Sequence, residues 1–174
     1  MKKNTSEAND NKLYHDTLTL LKKYRDVIWS LELSVQQAQR SFQLEYGSSV
    51  EDFLDTMYIA GADLSGSKIE QYAKNIEQSH KMIKLLESAV ALLREKHKHG
   101  EEYYWVLYYT YLSAQQLRNI DEIVDSLHAH IPDMSHSTYF RRRKEAIDAL
   151  SSVLWGYGSK DCLAILATFF PEGE

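Results

Sequence analysis

The chain has one cysteine, Cys162, so no internal disulfide framework can hold it together, and this thiol usage fits a reducing interior. Proline occurs twice and glycine seven times, a scarcity that disfavours a turn-rich β protein and favours long helices. No basic and apolar leader opens the sequence, which leaves secretion without support. The longest apolar run, "CLAILATFF", falls far short of the roughly 20 residues that a membrane-spanning helix needs. Phosphate-cradling glycine loops, dinucleotide fingerprints and Ser-His-Asp arrangements are all missing. These absences predict a cytoplasmic, non-enzymatic protein with no cofactor and no membrane partner.

What is present is helical periodicity. The 174 residues suffice for one ordinary domain or two small helical ones. Residues 1–12 are polar and are expected to fray. From Leu13, apolar and small residues recur at Thr17, Leu20, Tyr24, Val27, Leu31, Ser34 and Ala38, the seam of an amphipathic helix that Gly47 should stop. A short helix follows, with Ser49 as its N-cap and Gly61 at its end. Ser67 and Glu70 form a capping box before a second seam, Ile69, Tyr72, Ile76, Ser79, Ile83, Leu86, Val90 and Leu93. Its partner is either the first long helix, folded back as a hairpin, or the same helix of a second molecule. Residues 13–99 are therefore expected to form a coiled-coil-like helical hairpin, with a homodimer through the heptad helices as the alternative pairing.

Gly100 marks a joint. Beyond it, "EEYYWVLYYTYL" is aromatic nearly all round and should be buried on most sides. "NIDEIVDSLHAHI" opens on the cap-like pair Asn119 and Glu122, and Pro132 breaks it. Ser135 then caps "HSTYFRRRKEAIDAL". The predicted fold is all-α, the hairpin being followed by a helix-turn-helix bundle over residues 100–158 and a short docked helix over 159–174.

The segment after Pro132 carries the chemistry. The chain as a whole has a net charge of −5, yet residues 135–144 hold four cations and no acid. Residues 101–134 hold six acids against Arg118 alone. On a helix of 3.6 residues per turn, Tyr139, Arg143, Ala146, Ile147, Leu150 and Leu154 form a core face, with the Arg143 head at its edge. Ser137, Arg141, Lys144, Glu145 and Asp148 lie opposite, flanked by His136, Thr138 and Arg142. Cations at a helix start oppose the macrodipole by about 0.3–1 kcal/mol each when exposed. Phosphate contact supplies a reason to accept that cost, because backbone N–H and guanidinium groups then address one anion. A helix, a break and a second helix opening on small polar groups and arginines is the helix-turn-helix order.

These features resemble the C-terminal helix-turn-helix of phage and mobile-element transcription regulators of the ArpU/RinA type, which are similar to region four of bacterial sigma factors. The tyrosine-rich helix, the "EI…L" helix and "S.STYF.RRKEAI..L" carry the likeness, and "KIEQYAKNIEQSHKMIKLLESAVALLR" resembles the helix that precedes the motif. The resemblance implies a sequence-specific regulator that binds double-stranded DNA without cofactor or catalysis. It implies DNA contacts at Ser135, Ser137, Thr138, Arg141, Arg142 and Lys144, with His136 beside them, and makes RNA polymerase a candidate second partner. The turn here, "HAHIPDM", is longer than the family's, and residues 13–66 show no sigma region two. The competing reading is a helical interaction module whose basic helix meets an acidic protein surface.

Two His-x-His pairs, His97/His99 and His128/His130, invite a metal reading. Residues two apart on a helix point away from one another, so no metal site is expected, and these histidines are read as surface groups at helix ends.

Overall fold

The computed structural model describes residues 3–61, 63 and 65–156. Among them the fold is all-α, with helices and turns and no strand. The helices are α1 (Lys3–Tyr46), α2 (Val50–Ile59), α3 (Lys68–Lys96), α4 (Gly100–Leu107), α5 (Ile120–Leu127) and α6 (His136–Gly156), with one π-helical turn, Tyr108–Leu112, continuing α4. No described helix is long and apolar enough to cross a membrane. The expected short helix over 159–174, with Cys162, lies outside the described residues. α1 reaches back to Lys3, so the polar stretch expected to fray is helical as far as it is described.

The predicted stops and starts have local causes. Gly47 and Gly61 both adopt φ 67°, the left-handed conformation that ends a helix without a Cβ penalty. Ser49 Oγ accepts a hydrogen bond from Asp52 N at 3.1 Å, and Ser67 Oγ accepts one from Glu70 N at 3.2 Å. The Glu70 carboxylate returns to accept from Gly66 N.

The chain divides into two compact units, one of residues up to Arg25 and from Met82 onward, the other Asp26–Lys81. The divide thus falls inside α1 and α3 rather than at Gly100. In the first unit, Leu20, Leu21 and Tyr24 of α1 are buried, as are Met82, Ile83, Leu86, Ala89, Val90 and Leu93 of α3. Tyr24 donates from its hydroxyl to Glu87 Oε1 at 3.0 Å, a direct bond between the two helices. In the second unit Phe42 is buried, its ring centroid 5.3 Å from that of Tyr46.

Arg25 closes the far end of the aromatic segment. Its guanidinium donates to Ser113 O at 2.8 Å, Thr110 O at 3.2 Å and Ser113 Oγ at 3.2 Å. Carbonyls at a helix C-terminus lack intrahelical donors, and this arginine supplies them. Gly100 is buried where α4 starts beside the end of α3; a Cβ there would fall 2.5 Å from Leu93 O and closer still to Arg94 O. Only glycine permits that approach.

Candidate nucleic-acid interface

All of the basic segment belongs to the first unit, where the α4–α6 region supplies its support. Asn119 Oδ1 accepts from Glu122 N at 2.9 Å, and Glu122 Oε2 accepts from Arg118 N at 2.8 Å, the reciprocal cap expected for α5. α5 then buries Ile123, Val124 and Leu127 against Val106 of α4 and Tyr139 of α6. The connection over residues 128–135 is hydrogen-bonded along its length. Ile131 N donates to Leu127 O at 2.8 Å and Met134 N to Ile131 O at 3.2 Å. His128 Nε2 donates to Met134 O at 2.8 Å, and the Met134 side chain fills the core. The long prolyl turn therefore holds α6 in place.

Ser135 caps α6 as expected, its Oγ accepting from Thr138 N at 3.2 Å. The same hydroxyl donates to Thr138 Oγ1 at 2.9 Å and lies 3.2 Å from Ser137 Oγ. His136 Nε2 lies 2.6 Å from Asp121 Oδ1, joining the first turn of α6 to the first turn of α5. α3, α4 and α5 carry acids in their first turns, whereas α6, like α1, carries none.

The four consecutive cations divide into two pairs. Arg142 turns inward. Its Nη1 donates to Glu145 Oε2 at 2.9 Å, and its Nε lies 2.8 Å from Glu102 Oε2 on α4, off the line that a hydrogen bond needs. That second contact is an ion pair only, and the buried Nε–H has no acceptor. The hydrogen bond from Arg142 holds the Glu145 carboxyl below the usual carboxylate range. Tyr103 donates to the same Glu145 oxygen at 3.3 Å, and burial, then that carboxylate, pushes its phenol up. Arg142, expected among the DNA-facing groups, is thus tied to the protein's own carboxylates. Arg143 packs its head 5.5 Å from the Phe140 ring centroid and 6.0 Å from that of Tyr139, the edge position expected for it.

Arg141 and Lys144 remain exposed, and among the described residues no carboxylate comes within ion-pair distance of either. Ser137 is exposed on the same side. At 3.6 residues per turn, positions 137, 140, 141 and 144 share one arc of about 100°. Phe140, which sequence reasoning left unassigned, also stands on this arc, 44% exposed. Ser137, Arg141 and Lys144 therefore come together on one face. Ser135, Thr138 and His136 surround its N-terminal edge, where capping and the Asp121 contact engage them.

The histidine pairs hold structure as well as surface. His130 stacks on Trp105 with centroids 3.5 Å apart and planes 9° apart, and its Nε2 lies 3.1 Å from Tyr109 Oη. Among the described residues no cluster of three metal-ligating side chains forms. Two grooves in this unit, of about 630 and 350 Å³, are lined by other residues than Ser137, Arg141 and Lys144. No family model, no curated protein and no solved structure matches this chain.

Proposed function

We propose that the protein is a sequence-specific regulator that binds double-stranded DNA, with α5, the connection over residues 128–135 and α6 acting as a helix-turn-helix and α6 entering the major groove. The reading is that of a non-enzymatic, cytoplasmic phage or mobile-element transcription regulator, related in its DNA-binding part to sigma region four. One observation carries it. Of four consecutive cations in a chain of net charge −5, the two that are exposed, Arg141 and Lys144, form no ion pair among the described residues and act on Glu145 and Asp148 only through space. A structural arginine would be paired as Arg142 is. Arg141 and Lys144 address bases or phosphates, Ser137 bonds the backbone, and Ser135, His136 and Thr138 set the helix start.

The test is duplex binding on fragments recovered from a randomised pool. Arg141→Ala should cost about 1–3 kcal/mol of specific binding if it reads a base. Log affinity of the wild type should fall with log salt by roughly 0.9 per phosphate neutralised. Unchanged duplex affinity in both Arg141→Ala and Lys144→Ala proteins of intact helicity would overturn the reading.

A second role is favoured by the other unit, where Trp29, Leu44, Tyr58 and Ile59 are between 63% and 88% exposed. Large apolar side chains left in water suit a protein partner, a second copy or RNA polymerase, alongside DNA.

A further inference from the structure

Phe140 is the anomaly of the basic face. It is 44% exposed, whereas the neighbouring Tyr139 is 1% exposed. More than half of Phe140 is covered, and what stays open is an apolar surface at a position flanked by polar residues. Its ring is nevertheless held. Tyr139 meets it edge-on with centroids 5.3 Å apart and planes at 61°, and the Arg143 guanidinium carbon lies 5.5 Å from its centroid. Position 140 shares the arc of Ser137, Arg141 and Lys144, all polar.

A DNA major groove offers hydrogen-bond donors and acceptors and one apolar feature, the C5-methyl of thymine. Resting on the helix-turn-helix reading above, we infer that Phe140 is a specificity-determining residue that packs against a thymine methyl group within the site. Where Arg141 and Lys144 meet phosphates they supply charge that any sequence attracts, and Phe140 adds a preference that a phosphate contact cannot. The fixed ring orientation limits the rotamer entropy lost on binding.

The experiment uses the full chain and a duplex selected by it from a random pool, made once with thymine and once with deoxyuridine at every thymine position. Deoxyuridine pairs identically and lacks only the methyl. Wild type should bind the thymine duplex roughly three- to five-fold more tightly, the worth of one buried methyl. Phe140→Ala should bind both forms alike, and Phe140→Leu should retain part of the preference. Because the ring is exposed, the variants keep the wild-type fold, which far-ultraviolet circular dichroism checks. Equal wild-type affinity for both duplexes, or the same preference in Phe140→Ala, overturns the inference while leaving DNA binding intact. Selected sites without any thymine overturn it too. Recovery of no duplex at all defeats the regulator reading itself, a distinguishable result.

Discussion

Arg141 and Arg142 are chemically identical and one position apart, yet the helix turns them to opposite fates. A step of about 100° carries Arg142 toward the side of Ala146, where Glu102 and Glu145 wait, and leaves Arg141 in solvent. Their alanine variants should therefore separate stability from binding. Arg142→Ala removes a pair in which the arginine side chain is only 20% exposed, and should lower unfolding free energy by about 1 kcal/mol. Arg141→Ala should stay within about 0.5 kcal/mol of wild type. Urea titrations of the two proteins decide the matter, and the reverse order of stabilities would mean that the two side chains have been assigned to the wrong sides. The inward turn of Arg142 was legible in principle. It lies four residues before the buried Ala146 and three before Glu145, the spacing at which helix side chains meet. What residues alone could not give was Glu102, forty positions away on another helix.

At the scale of elements, α1 is tied to α6 by a small buried polar cluster. Trp155 Nε1 donates to Thr17 Oγ1 at 3.0 Å, and that oxygen lies 3.0 Å from Ser151 Oγ and 2.8 Å from Leu13 O. Thr17 is wholly buried. Thr17→Val conserves volume but strands the Trp155 N–H and the Ser151 hydroxyl, so it should destabilise by roughly 1–3 kcal/mol. Thermal unfolding, compared with Thr17→Ser, measures this; a stable valine variant and an unstable serine variant would show that packing, not bonding, holds the site. Thr17 sits in the α1 seam between Leu13 and Leu20, so its inward direction followed from spacing. Its partners did not, because no periodicity in α1 points to residues 134 and 138 positions later. The same division runs through the other elements. Caps at Ser49, Ser67, Asn119 and Ser135 are local chemistry and can be read from adjacent residues. The π turn at Tyr108–Leu112 cannot, for it depends on Ser113 N reaching back to Tyr108 O and on Arg25 arriving from α1. The aromatic helix, expected to be buried on most sides, buries Tyr103, Val106, Leu107 and Tyr111 and leaves Tyr104, Trp105, Tyr108 and Tyr109 half-buried.

At the scale of the molecule, the two units differ in what they hide. Among the described side chains, the buried set of the first unit runs from Thr17 through Leu154, while Asp26–Lys81 contributes Phe42. Burial of apolar groups is the main source of stability, so opening should cost less in the second unit. Amide exchange should accordingly be fastest over residues 26–81 and slowest over 82–93, 103–107 and 146–154. Equal protection in both units would sink this ordering. Alkaline titration probes the first unit from a different side. Burial, assisted by the bond to Glu87, pushes the Tyr24 phenol up to about 12, and burial pushes Tyr111 up to about 12. A phenol raised in the fold favours the folded state most below its ordinary value of 10.0, and that contribution is lost as pH climbs from there through about 12. The first unit should therefore unfold over this window, with phenolate absorbance and helix loss rising together. Tyr24→Phe keeps the ring, removes one of the raised titrations and should flatten the decline; a decline as steep as that of wild type would assign the alkaline transition to other groups.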